Sequence, residues 1–150
     1  MNKSRLNDLG RGSLARVALA AAMLLPQAVV SAHNGLAWTL EQVSPGISHK
    51  GLSTAQVFRA PRPVPAGATI TSVRGQREAR GNGYLATTLC TGPGVGRCVV
   101  VTGSHTRTDA FNGLPANQEF YLTHTIMGEG PQTPPMFVKA SVTVWYQLPR

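Results

Sequence analysis

Two cysteines stand at a spacing that suits a covalent cross-link. Cys90 and Cys98 flank residues 91–97, a glycine-rich segment suited to a turn between two strands. A redox pair usually has two intervening residues, and a zinc site would need two further ligands nearby. Because the chain also carries the pattern of an export signal, described below, the spacing predicts a disulfide that closes a short loop.

The histidines offer a second kind of chemistry, which is metal binding. If a leader is cleaved after Ala32, His33 carries both an α-amine and an imidazole, a pair that suits Cu(II) when a second histidine joins it. The candidates for that second ligand are His49, His105 and His124. The sequence has no methionine-rich or histidine-rich tract. We therefore predict ordinary surface or core histidines and no metal, and we keep copper binding as the alternative function.

The sequence contains few residues that could act in catalysis. Ser104, His105 and Asp109 lie close together along the chain, but no Gly-x-Ser-x-Gly elbow surrounds Ser104. Closeness in sequence also does not give the geometry of a catalytic triad. The carboxylates beyond residue 32 form no recognisable acid–base pair; they are Glu41, Glu78, Asp109, Glu119 and Glu129. We predict that the protein is not an enzyme and has no catalytic residue and no cofactor.

Cationic and aromatic side chains supply the candidate contacts for a partner. Arg74, Arg77 and Arg80 recur every three residues and form a cationic concentration that can dock an acidic surface. In the last predicted strand, Trp145 falls on the face opposite the apolar side chains, and exposed aromatics bury much area at low entropic cost when they dock. The alternatives are a solvated strand end for the arginines and a covered core position for Trp145.

The first 32 residues have the pattern of a secretory signal. Four cations precede an apolar run over residues 17–25, and small residues fit a cleavage site after Ala32. Pro26 ends the run well short of the roughly 20 apolar residues of a membrane helix, so we predict no stable membrane insertion. Because the leader holds four cations and one carboxylate, the net charge falls from +8 to +5 in a single domain over residues 33–150. A modest basic excess in an exported protein favours acidic proteins or anionic lipid head groups as partners and argues against nucleic acid. The alternative is a soluble surface whose charge encodes no partner.

The region after the leader has the periodicity of β-strands. Residues 116–127 and 136–148 are free of glycine and proline, and they alternate apolar with polar side chains. The side chains predicted to share one face are Phe120, Leu122, His124 and Ile126 in the first strand and Val138, Ala140, Val142, Val144 and Tyr146 in the second. Further strands are predicted at residues 36–43, 68–74, 84–90, 98–102 and 108–111, and residues 53–60 are compatible with one helical turn. About seven short strands without a βαβ rhythm indicate an all-β antiparallel sandwich or barrel.

A characteristic order of residues runs through most of the region after residue 32. In chain order it comprises Trp38, Gly46, Ile47, His49, Lys50, Gly51, Leu89, Cys90, Arg97, Cys98, Val99, Gly103, Thr108, Phe111, Gly113, Leu114, Ala116, Gly128, Gly130, Pro134, Val142, Val144 and Tyr146. This order resembles the FlhE family of periplasmic flagellar proteins, and the paired cysteines with their flanking residues are its most specific element. The chain departs from the family in its long leader, in a Gly-Pro-Gly insertion within the cysteine loop and in residues 74–82.

The resemblance implies a small antiparallel immunoglobulin-like β-sandwich, located in the periplasm after cleavage of the signal peptide. It also implies a non-enzymatic accessory protein of flagellar assembly that guards the export apparatus against proton leakage, acts as a chaperone for exported flagellar subunits, or does both. The expected partner is therefore the flagellar export apparatus or an exported flagellar subunit. A chaperone can pair a free strand edge with its client, whereas a plug needs a surface that fits a channel, and the residues alone do not separate the two.

Overall fold

The computed structural model describes residues 36–81, 83–93 and 96–150. These residues form nine β-strands and no helix, and therefore no helix that could cross a membrane. The strands are β1 (Leu36–Val43), β2 (Ile47–His49), β3 (Ser53–Phe58), β4 (Thr69–Arg80), β5 (Leu85–Cys90), β6 (Cys98–Val100), β7 (His105–Thr108), β8 (Phe120–Ile126) and β9 (Pro131–Gln147). The predicted signal peptide and His33 lie outside the described residues.

The strands form two antiparallel sheets. The larger sheet has the order β1-β9-β4-β7, and β2 also pairs with β9, whereas the smaller sheet has the order β3-β8-β5-β6. The long strand β9 holds the larger sheet together. Its pairing with β1 begins at Leu36 opposite Tyr146, and its pairing with β4 ends at Arg80 opposite Phe137. The predicted all-β antiparallel sandwich is confirmed.

Side chains from both sheets meet in one apolar core. The alternation predicted for the two long strands is confirmed, because every second residue of β8 from Phe120 to Ile126 is buried and Val138 to Val144 of β9 follow the same rule. The indole of Trp38 enters from β1, donates a hydrogen bond of 2.9 Å from Nε1 to the carbonyl oxygen of Ala116, and lies 6.3 Å from the ring of Phe120. This hydrogen bond satisfies the one polar atom of a buried tryptophan.

Gly75 lets the two sheets approach closely where β4 crosses the core. A Cβ atom at this position would lie 3.3 Å from Cδ2 of Leu89 and 3.4 Å from Cγ2 of Val101. Any side chain would therefore press against Leu89 and Val101. These neighbours lie in a close-packed core and cannot move far enough to make room for it.

Residues 53–58 form strand β3, where the sequence of residues 53–60 allows one helical turn. β3 pairs with β8 from Ser53 opposite Thr125 to Phe58 opposite Phe120. This pairing buries Phe58 and Gln56 against the larger sheet. The prediction of a helical turn was wrong because the strand is stabilised by a partner far along the chain, which local sequence does not reveal.

The strand predicted at residues 108–111 begins earlier, as β7. Thr108 and Arg107 lie opposite Val73 and Arg74 of β4, and the pairing ends at His105. This shift brings Arg107, which the sequence analysis did not single out, onto the larger sheet.

Cys90 and Cys98 form a disulfide, as predicted. The two residues lie directly opposite each other at the end of the β5–β6 pair, with their Cα atoms 4.1 Å apart. The bond closes the connecting loop at the edge of the smaller sheet, where β6 has no further strand partner among the described residues.

Candidate functional site

The predicted arginine cluster is divided between the two faces of β4. Arg74 lies opposite Thr143 and Arg80 opposite Phe137, so both occupy the outer face of the larger sheet. Arg77 is opposite the buried Ala140 and therefore points between the sheets. Alternation along a strand places residues three apart on opposite faces. The three arginines consequently do not act as one patch.

Trp145 lies on the outer face, as its phase predicts, beside the small side chains of Ala37 and Ser72 on the two flanking strands. The guanidinium carbon of Arg107 lies 4.5 Å from the centre of the Trp145 ring, a cation–π distance. Nη2 of Arg107 also donates a 3.2 Å hydrogen bond to Oγ of Ser72, which holds the cation in place. Trp145 is half-buried, and nothing from the smaller sheet covers it because that sheet packs on the other side.

Arg74 adds a second cation to this surface. It lies opposite Arg107 in the β4–β7 pair, and its Nε atom is buried without a hydrogen-bond partner. The ion pairs within the described part of the chain join Arg59 to Glu119, Arg80 to Glu78 and Lys139 to Glu41. Neither Arg74 nor Arg107 has a carboxylate partner there. We name Trp145, Arg107, Arg74 and Ser72 the Trp145 face; it combines an aromatic ring with two uncompensated positive charges.

His124 belongs to a buried polar cluster inside the core. Its ring nitrogens lie 2.9 Å from Oγ1 of Thr87 and 2.8 Å from Oε1 of Gln56, and all three side chains are buried. With the carbonyl oxygen of Gln56 facing Nε2, that nitrogen donates and Nδ1 accepts from the threonine hydroxyl. Burial, aided by the positive charge of Arg77, lowers the pKa of His124 to about 4. The imidazole is therefore neutral at pH 7, and both nitrogens are engaged.

The structure also shows where the other predicted histidines, His49 and His105, lie. His49 lies on β2 and His105 on β7, each with a serine hydroxyl of the preceding residue 3.2 Å from its Nδ1. No group of three potential metal ligands occurs among the described residues, to which His33 does not belong. Ser104 and His105 are in contact, but no contact joins His105 to Asp109. The structure therefore does not assemble the triad whose residues neighbour one another in sequence.

Sequence reasoning missed Arg107 and overlooked the division of the arginines. The signal for Arg107 was weak: residues 105–108 follow Gly103 and contain two β-branched threonines, but all four side chains are polar. The division of Arg74 and Arg77 follows from the two-residue period alone. The approach of Arg107 to Trp145, in contrast, depends on β7, β4 and β9 being neighbours, and no local pattern reports that order.

These observations define a small disulfide-bonded antiparallel β-sandwich with an aromatic, positively charged patch on one sheet. Residues 44–147 match the family described as "Flagellar protein FlhE", and the chain belongs to this FlhE family. The predicted resemblance is thereby confirmed. The chain is also similar to a solved structure titled "Crystal Structure of FLHE", with 22% sequence identity and a TM-score of 0.63 over 76% of this chain and 97% of that chain. A search of curated proteins found no match.

Proposed function

We propose that this FlhE-family protein is a periplasmic, non-enzymatic accessory of flagellar assembly that acts as a chaperone for exported flagellar subunits. Family membership supports the flagellar role, and the disulfide fits an oxidising compartment reached through the predicted signal peptide. Five strands pair on one side only in the described region, and their free edges can pair with an extended client; they are β1, β2, β3, β6 and β7.

The single observation that carries the proposal is the Trp145 face. An aromatic ring held by a cation on a polar sheet face contributes nothing to the interior, yet it is organised by three neighbouring strands. Aromatic and arginine side chains dominate the binding energy of protein interfaces. The two uncompensated guanidinium groups favour a client segment that carries carboxylates. We therefore assign the client contact to this face.

The test compares two aromatic residues of the same strand. Trp145→Ala should abolish suppression of aggregation of a denatured, purified filament subunit and should reduce swimming in a deletion strain. Phe137→Ala is the matched control, because Phe137 is an exposed aromatic on the same face of β9 but distant from Arg107. The melting temperature of each variant should fall by no more than about 5 °C. If both variants suppress aggregation and restore swimming as the parent does, the Trp145 face is not the contact.

The same strains separate the chaperone from the other roles. If the cytoplasm of the deletion strain becomes acidic while exported subunits are handled normally, the protein is not a chaperone. Its role is then to guard the export apparatus against proton leakage. Stoichiometric Cu(II) binding that is lost in His33→Ala, together with normal motility on deletion, would instead favour the copper-binding alternative.

A further inference from the structure

A cavity of about 420 Å³ opens between the sheets at the end of the sandwich where β4 terminates. Its walls combine one cation with apolar surface, and the lining includes Arg77, Tyr84, Leu85, Gly103, Ser104 and Met136. Met136 and Leu85 are buried at the base, whereas Tyr84 is 75% exposed at the rim. A site of this kind suits a small ligand portion that carries one negative charge and one apolar group.

Arg77 lacks a carboxylate partner in this cavity. Its Nε donates a 2.9 Å hydrogen bond to the carbonyl oxygen of Gly103, which orients the guanidinium group. The two terminal nitrogens donate to no other described group. Glu78 also borders the cavity, but it lies on the opposite phase of β4, and its carboxylate is 3.6 Å from Arg80. Burial lowers the pKa of Arg77, as expected for a cation that is partly desolvated and not compensated.

The edge strand β7 starts at the mouth of this cavity. The backbone N–H of Arg77 donates to the carbonyl oxygen of Ser104, which shows that the even-numbered residues of β7 direct their backbone groups toward β4. His105 and Arg107 therefore direct theirs toward the other side, where no strand pairs in the described region. Since β7 runs away from the cavity, a segment added antiparallel to it runs toward the cavity and places its carboxyl end there.

We propose that this cavity, the Arg77 pocket, binds the C-terminal carboxylate of an extended polypeptide that pairs antiparallel with the open edge of β7. The two free nitrogens of one guanidinium group match the two oxygens of a carboxylate, and the last side chain of the client packs against the exposed ring of Tyr84. The inference rests on the proposed chaperone function and names the part of the client that this second site holds.

The experiment uses one fluorescein-labelled hexapeptide of alternating threonine and valine that ends in leucine, as the free acid and as the C-terminal amide. Fluorescence anisotropy with the full mature protein should give an affinity about tenfold or more higher for the acid, because a charge-assisted hydrogen bond is lost in the amide. Arg77→Gln should bind both peptides equally weakly. Arg80→Gln, the same change in charge on the outer face of the same strand, should keep the preference.

A second variant tests the strand edge without touching the charge. His105→Pro removes an N–H group that points away from β4, so the β4–β7 pairing keeps its hydrogen bonds. Binding of both peptides should weaken while the melting temperature stays close to that of the parent. Arg77→Lys, which retains the charge, provides a folded protein with a partial preference for the acid if Arg77→Gln is unstable.

Equal binding of acid and amide by the parent protein, or an unchanged preference in Arg77→Gln, would overturn the assignment of the pocket. These results are distinguishable from a failure of the proposed function. A protein that suppresses subunit aggregation without preferring the free acid retains its chaperone role through the Trp145 face and loses only the Arg77 pocket.

Discussion

The two tryptophans of the chain lie on opposite sides of the same sheet. Trp38 of β1 is opposite Val144 and points into the core, while Trp145 of β9 is opposite Ala37 and points outward. The two positions differ by a single step in the register of one strand pair. Trp38 hydrogen-bonds to the backbone and packs on Phe120, whereas Trp145 is held by a cation and faces solvent. The phase of a strand, more than the residue type, thus decides whether a tryptophan holds the fold or is free to contact a partner.

Threonines show the same contrast between the interior and the outer face. Thr87 hydrogen-bonds to His124 at 2.9 Å within the core, and Thr143 hydrogen-bonds to Thr39 at the same distance on the exposed face. Water can replace the outer bond but not the inner one. Two bonds of equal length therefore contribute differently to stability, because an unsatisfied group is costly only where solvent cannot reach it.

The largest expected effect distinguishes the two tryptophans. Trp38→Ala should lower the free energy of unfolding by about 3–5 kcal/mol, since it removes a large buried side chain and leaves a cavity. Trp145→Ala should cost about 1 kcal/mol, the scale of its cation–π contact. Urea unfolding followed by far-UV circular dichroism measures both. Equal losses would place Trp145 in the structural core and contradict its assignment to a contact face.

Acid should destabilise the protein through His124. The pKa of this residue is about 4 in the folded state and about 6.5 when unfolded, so the unfolded chain binds the extra proton between these values. Stability should fall as pH drops from about 6.5 to 4, by roughly 3 kcal/mol, and this contribution should level off below pH 4. Unfolding in urea at a series of pH values measures the slope. In His124→Gln this decrease of the free energy of unfolding with falling pH should disappear. If the dependence on pH is the same in the variant, other groups cause the acid sensitivity.

The matched threonines give the next effect in size. Thr87→Val should cost about 1–3 kcal/mol because Nδ1 of His124 loses its donor inside the core. Thr143→Val should change stability by no more than about 0.5 kcal/mol. Thermal melts of the two purified variants make the comparison. A large loss in Thr143→Val would show that the outer face is shielded from water and would weaken the contrast between the two sides.

The smallest effect concerns the cation on the outer face. Arg107→Gln should reduce stability by about 0.5–1 kcal/mol, because it removes the cation–π contact with Trp145 and leaves the ring in place. Arg80→Gln is the control, because Arg80 is an exposed arginine on the same face of the sheet, distant from Trp145. Near-UV circular dichroism should report a changed environment of Trp145 in the first variant only. If the near-UV spectrum of Arg107→Gln is the same as that of Arg80→Gln, Arg107 does not order the Trp145 ring.

Local periodicity predicted much of the sandwich, and long-range pairing explains what it missed. The faces of β8 and β9 follow from a two-residue period that any strand obeys, and the disulfide follows from a short turn between two strands. The surroundings of Trp145 do not follow in this way. A bulge between Ile70 and Ser72 shifts the β4–β9 register so that Ser72, which anchors Arg107, lies beside the indole. The register of such a pair is a property of the assembled sheet.

The antiparallel course of β9 also determines how the domain responds to mechanical force. Leu36 and Tyr146 are opposite each other at one end of the sheet, and Arg80 and Phe137 are opposite each other at the other end. Tension between the two ends of the domain therefore loads the β1–β9 hydrogen bonds one at a time, as in opening a zipper. Tension between the C-terminal end of β9 and a polypeptide bound in the proposed Arg77 pocket would instead act along the long β4–β9 ladder in shear and load its hydrogen bonds together. The sandwich should therefore unfold at a lower force when pulled by its own ends than when pulled through a polypeptide bound in the proposed pocket.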